Sequence, residues 1–346
     1  MPTELSNNPQ VKVVVNAVKR KQSRLIAMAV GLAVGATWVC GVGATAAQPA
    51  PANIAVLTPG LNYDSVLVGL REGLAKVGYL EGRNLTLTIE DTKGETVNLD
   101  GRVAKLLDTK PDVFFAVATA NSIAAKQATS TVPIVFTVVG DPVHAQLAAS
   151  FASSRNNVTG VSSHSTLLTA KRLELLKDLA PKVKSVLVIV SINEASAKMG
   201  LPYLDEPAKK MAFRLVRRDI GSTDEFEKLL AEKWTGIDGV FPMPSVFVGK
   251  SMQALVAKAH KERLPMVVSE ESWVKAGALA SYGTDFRLIG AQSARLVVKV
   301  LKGSKPAEIP IATPDQLVLT LNQSSAKAIG LKLPEKILER ADRFFD

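Results

Sequence analysis

From Asn53 onward the chain alternates short β-branched or apolar runs with stretches of helical period. Asn53 to Leu57 predicts a strand, Asp64 to Val77 an amphipathic helix, and Leu85 to Glu90 a second strand. A helix at Val97 to Asp108, a strand at Asp112 to Val117, a helix at Asn121 to Ala128 and a strand at Ile134 to Val139 continue the series. Alternation of this kind builds βαβ units on a parallel sheet. A second series follows Gly160: helix Leu167 to Leu179, strand Ser185 to Val190, helix Ala195 to Ala212, strand Arg214 to Ile220, helix Asp224 to Trp234, strand Gly239 to Pro242, helix Phe247 to Arg263 and strand Met266 to Ser269. A short helix then passes through Trp273 and ends at Gly277. Pro111, Pro133, Pro181 and Pro265 each stand just ahead of a strand, where they end the preceding helix. The remainder, from Ala278, predicts strand Leu279 to Tyr282, helix Leu288 to Leu301, a Pro-rich turn from Pro306 to Pro314 and strand Leu317 to Leu321. So long a tail fits a chain that passes back and forth between two α/β lobes.

The first residues break this pattern. Lys12, Lys19, Arg20, Lys21 and Arg24 precede an apolar stretch, Leu25 to Val42, and no charged residue follows until Asp64. A basic segment, an apolar segment and the A-x-A sequence Ala44-Thr45-Ala46 read as an export signal over residues 1 to 46, with a retained membrane anchor as the other reading. The only cysteine, Cys40, follows Trp38-Val39, where a lipoprotein signal needs a small residue. Export without lipidation and an extracytoplasmic, thiol-free protein are therefore expected.

The formal charge of +10 shrinks without the leader, which carries five basic residues and one acid, to a net +6 for the remainder. That surplus lies in patches such as Lys171-Arg172, Lys209-Lys210 and Arg217-Arg218, with no interleaved aromatics, and reads as solvated surface rather than a nucleic-acid stripe. The three histidines, His144, His164 and His260, have no metal-ligand spacing, and neither a nucleophile motif nor a glycine-rich cofactor loop is present. Neither a cofactor nor a catalytic residue is expected.

Candidate chemistry collects where strands end. Gly140-Asp141-Pro142 closes an apolar strand, and Asp followed by Pro predicts a capped helix whose free N–H groups attract an anion. Thr119-Ala120-Asn121-Ser122 presents hydroxyl and amide groups beside it. Asn193-Glu194, Pro244-Ser245 and Glu270-Glu271 occupy the matching places in the second half. Such a set suits a ligand with an ammonium and a carboxylate; simple helix capping is the alternative for Asp141 and Glu270. Pro59 and Tyr63, after the first strand, and Trp273 could wall an apolar side chain.

Several stretches go beyond generic α/β patterning. Gly69 to Leu74, Gly78 to Asn84, Pro133 to Val143, Asn157 to Ser162, Lys171 to Leu176, Gly277 to Gly283 and Leu301 to Pro310 resemble, in order, the tryptophan/tyrosine-type substrate-binding proteins of ABC transporters. The resemblance spans nearly all of residues 53 to 333. It implies a type I periplasmic binding protein fold: two Rossmann-like lobes with parallel sheets, residues 47–163 plus 284–312 and residues 164–283 plus 313–346, joined by three crossovers around a ligand cleft. Those crossovers are expected near Gly160 to Thr166, Tyr282 to Phe286 and Ile309 to Gln316. It also implies partners, a membrane permease with its ATPase, and lobe closure as the signal of occupancy. Thr119, Asp141 and Asp285 match the family pattern. Pro59-Gly60-Leu61-Asn62 stands where tryptophan-binding members carry a Glu-His pair, and Thr119-Ala120-Asn121-Ser122 replaces Thr-Pro-Ala-Ala, which leaves the ligand's side chain open. The expected ligand residues are Pro59, Tyr63, Thr119, Asn121, Asp141, Asn193, Ser245, Glu270 and Asp285. A ligand sensor for a signalling receptor, an exported α/β enzyme using Asp141 or Glu270 as acid or base, and a vestigial cleft are the other readings.

Overall fold

The computed structural model describes residues 49–346; the expected export signal, its Ala46 site and Cys40 lie outside them. Five strands, β1 (Ala52–Thr58), β2 (Leu85–Asp91), β3 (Val113–Val117), β4 (Ile134–Val139) and β5 (Val158–Ser162), form an all-parallel sheet in the order β2-β1-β3-β4-β5. The period of two decides which side chains go where. Ile54, Val56, Val113, Phe115 and Val117 face a core closed by helices Asp64–Ala75 and Phe286–Leu301. Ala55, Leu57, Phe114 and Ala116 face the opposite core, closed by helices Leu99–Leu107 and Thr119–Ala128. Burial on both faces is what makes β3 read as an uninterrupted apolar run.

A second sheet follows: β6 (Ser185–Ser191), β7 (Arg214–Ile220) and β8 (Gly239–Pro242) pair in the order β7-β6-β8, all parallel. A bridge between Val240 and Met266 joins it to β9 (Val267–Val268), β10 (Ala280–Gly283), β11 (Val318–Asn322) and β12 (Arg343–Phe345). Here β11 runs antiparallel to β10. The edge strand β7 carries exposed Arg214, Arg217 and Arg218, charges that discourage pairing with another chain. Two cores sandwich this sheet, one including Leu173, Leu176, Val188 and Phe241, the other Ile189, Phe226, Leu255 and Trp273.

The chain passes from the first sheet to the second after β5, returns after β10 so that helix Phe286–Leu301 packs on the first core, and leaves again before β11. Helices Asp64–Ala75 and Phe286–Leu301 meet backbone to backbone. A Cβ on Gly69 would come within 1.9 Å of the Arg287 carbonyl oxygen, and one on Gly290 within 2.0 Å of that of Val66. Only glycine permits this approach.

Several elements differ from the periodicity. No helix follows Asp141-Pro142; residues 142–146 form turns. The helix expected over Ala195 to Ala212 is divided into Ala195–Gly200 and Asp205–Lys210 by a 3₁₀ turn at Leu201–Tyr203, with Pro202 at its start. The helix expected from Phe247 to Arg263 is interrupted at Ser251, giving Val246–Lys250 and Met252–Lys261. Strands β5 and β12 and the short helices Gln323–Ala328 and Glu335–Leu338 had no separate expectation. Among the described residues no helix is long and apolar enough to cross a membrane.

Candidate ligand-binding site

A cavity of about 430 Å³ lies between the carboxyl ends of the two sheets, where open α/β sheets place their ligands. Its walls come from the segments that follow β1, β2, β3 and β4 on one side and β6, β8 and β9 on the other, together with residues after β5 and β10. Three wall residues have backbone that L side chains rarely adopt: Asn98, at φ 55°, Ala118, at φ 72°, and the β-branched Val138, at φ 55°. Val138 sits at a register shift between β4 and β5, and the bulge brings Gly140 against Thr166. Strained backbone of this kind collects at functional sites.

Pro59, Tyr63, Thr119, Asn121, Asn193, Ser245 and Glu270 all line this cavity. Asp141 and Asp285 do not. Asp141 Oδ1 accepts hydrogen bonds from the Val143 and His144 N–H groups, at 3.0 and 2.9 Å, so the carboxylate closes its own turn. With no helix behind it, the expected anion site at that point is absent. Asp285 Oδ1 caps helix Phe286–Leu301 through the Arg287 and Leu288 N–H groups, and Oδ2 pairs with Arg343 at 2.6 Å. Burial opposes ionisation of Asp285, but the Leu288 N–H and the Arg343 guanidinium hold its carboxyl below the usual range. Trp273 is 1 % exposed and packs inside the second lobe's core instead of walling the cavity.

The remaining groups divide into spent and free. Ser245 Oγ donates to Glu194 and accepts from the Val248 N–H, while Glu194 Oε1 accepts from the Val246 and Phe247 N–H groups at 3.1 and 3.2 Å. Both cap helix Val246–Lys250. The Asn193 amide donates to the Gly221 carbonyl at 2.8 Å. Glu270, in contrast, stands at the N-cap position of helix Glu271–Lys275 without capping it, and its Oε2 has no hydrogen-bond partner among the described residues. Asn121 Nδ2, Ser165 Oγ and Ser269 Oγ, all on residues of the cavity wall, are buried and unpartnered as well. Leaving such groups unmatched is costly.

Electrostatics single out the same region. Burial, and then the neighbouring Glu194, push the Glu270 carboxyl up to about 8 against the opposing pull of Arg172 and the Tyr63 hydroxyl. Burial also raises Glu194, tempered by its hydrogen bonds. Tyr63 is held protonated by burial and by both carboxyls, and its ring stacks on Phe286 with centroids 5.0 Å apart. Arg172 is the residue that sequence reasoning misplaced. Lys171-Arg172 reads as surface, yet Arg172 is 1 % exposed and lines the cavity, while Lys209, Lys210, Arg217 and Arg218 are exposed as expected. The signal was available: Thr169, Arg172, Leu173, Leu176 and Leu179 share the buried stripe of helix Thr169–Leu179.

Two α/β lobes flanking one cavity and joined by three chain crossings define a two-lobed solute-binding architecture, the type I periplasmic binding protein fold. The particular family is that of the ABC transporter substrate binding proteins, to which the chain belongs by a match over residues 52–345. It is 29 % identical over 271 residues to a tyrosine-binding protein of Clostridioides difficile (strain R20291), covering 78 % of each chain. Its fold superimposes with a TM-score of 0.81 on an ABC domain in complex with L-Trp from Streptococcus pneumoniae, at 24 % identity over 86 % of this chain and 100 % of that one. A ligand-free, open substrate binding protein with adhesive properties from Clostridium difficile gives a TM-score of 0.65 at 27 % identity, over 85 % and 99 % of the two chains.

Proposed function

We propose that this protein is the extracytoplasmic solute-binding component of an ABC importer, which captures an amino acid or related small carboxylate between its lobes and delivers it to a membrane permease without performing chemistry. One observation carries this reading: Asn121, Ser165, Ser269 and Glu270, on the wall of one cavity, each hold a buried polar atom with no partner among the described residues. A polar solute supplies those partners. Its ammonium sits at Glu270 beside the Tyr63 hydroxyl, and Thr119 and Asn121 grip it from the other lobe. The moving bodies are residues 47–163 plus 284–312 and residues 164–283 plus 313–346, with the crossovers as hinges. Greater similarity to the L-Trp complex than to the open, ligand-free protein supports a closed arrangement here. Tyrosine and tryptophan bound by relatives support the amino acid class, while Pro59 to Asn62 and Ala120-Asn121 leave its side chain to experiment.

The test is a thermal-shift screen of residues 47–346 against amino acids, their derivatives and small carboxylates. A ligand at about 100 times its Kd adds roughly 2.7 kcal/mol of stability. One compound class is expected to shift the transition, and Asn121→Ala to diminish the shift; silence across the panel would refute the reading.

A further inference from the structure

Arg172 carries a positive charge into the cavity wall without an ionised partner of its own. Its guanidinium donates to the Ser165 carbonyl at 2.5 Å, the Tyr282 carbonyl at 3.4 Å and the Thr169 hydroxyl at 3.4 Å. These three bonds use part of the five-donor fork. No ion pair among the described residues includes it. Ser165 belongs to the crossover after β5, and Tyr282 is the penultimate residue of β10, which leads into the next crossover, so one side chain ties two of the three crossings together.

We propose that Arg172 binds the anionic group of the ligand, a carboxylate, and thereby couples its arrival to the two crossover segments that the same guanidinium holds; this assignment rests on the small-solute reading above. A buried guanidinium whose acceptors are all neutral is expensive to maintain, and a planar carboxylate matches the open part of its fork. Protein carboxylates leave the role vacant. Glu194 is committed to the Val246 and Phe247 N–H groups, and Glu270 makes no ion pair with Arg172. Burial keeps Glu270 largely protonated at neutral pH, so it offers Arg172 little compensating charge before a ligand enters. The carboxylate site expected at Asp141 is thus replaced by one at Arg172, across the cleft on the other lobe.

Isothermal calorimetry on matched pairs tests the assignment: L-tyrosine with tyramine, L-leucine with isoamylamine, L-lysine with cadaverine, each against wild type, Arg172→Gln and Arg172→Lys. Wild type is expected to bind at least one amino acid about 100-fold more tightly than its decarboxylated partner, and Arg172→Gln to bring the two within about threefold. Arg172→Lys keeps the charge without the fork and should fall between; it carries the comparison if the glutamine variant does not fold. Small-angle scattering should show the preferred amino acid contracting wild type and contracting Arg172→Gln far less. A residue that only braced the crossovers would lower Tm and leave the acid-to-amine ratio unchanged. Retention of that ratio in Arg172→Gln overturns the proposal, as does equal binding of acid and amine by wild type. The second result leaves the small-solute reading standing, whereas wild-type silence toward all six compounds and across the thermal-shift panel ends both.

Discussion

Seating an ammonium against Glu270 forces a proton to leave. Burial and the neighbouring Glu194 push the carboxyl up to about 8, so at pH 7 it is about nine-tenths protonated. A cation in contact brings it back toward the ordinary carboxylate range, and binding should release about 0.9 proton at pH 7 and about half a proton at pH 8. Because only the ionised form serves the ammonium, affinity should climb about tenfold, or roughly 1.4 kcal/mol, for each pH unit gained below 8, and level off above it. Calorimetry of one bound amino acid in phosphate and in Tris, whose ionisation enthalpies differ, counts the protons. Glu270→Gln should bind more weakly and release none. A second consequence shares the same sign. The folded, unliganded chain keeps a proton that the unfolded chain loses near 4.5, so between about 4.5 and 8 stability falls as pH rises, and the glutamine variant loses that slope. Affinity that is flat from pH 6 to 8, or proton release that persists in Glu270→Gln, would refute the reasoning.

Asp141→Ala removes the acceptor of two turn N–H groups, which should cost about 1 kcal/mol in denaturant unfolding while leaving the amino acid Kd within about twofold, since Asp141 does not line the cavity. Gly290→Ala places a Cβ within 2.0 Å of the Val66 carbonyl oxygen and should destabilise the protein by about 3 kcal/mol, measured by the same unfolding; a loss below about 1 kcal/mol would mean that the two helices separate easily.

Most of the architecture was legible because parallel strands buried on both faces leave unbroken apolar runs, as β3 and β4 do between their helices. What escaped was short or governed by distant contacts. Strand β12 has three residues and exists because β11 offers an edge and Arg343 anchors to Glu271 and Asp285. The turns after Asp141 have a capping residue followed by Pro, as a helix start does, but lack an apolar stripe long enough to bury. Breaks at Pro202 and Ser251 fall inside segments whose periodicity runs on regardless, since the pattern records the buried face and is insensitive to a local change of axis.

The site was legible to the extent that strand ends could be counted, and its chemistry was inverted at particular residues. Ser245 was expected to face ligand, yet it is consumed in capping together with Glu194. Glu270, whose plainer reading was a cap, leaves its helix uncapped and keeps a free carboxyl oxygen. Both start a five-residue helix at the end of a strand, and what separates them is an interaction across the sheet: Glu194, 51 residues before Ser245, reaches the N–H groups of Val246 and Phe247, and among the described residues no side chain caps the helix at Glu271. Local sequence can say that a carboxylate stands at a helix start. Whether it is spent there or left for a ligand depends on which side chain the neighbouring strand delivers, and that choice left an unpartnered carboxyl oxygen on a residue of the cavity wall.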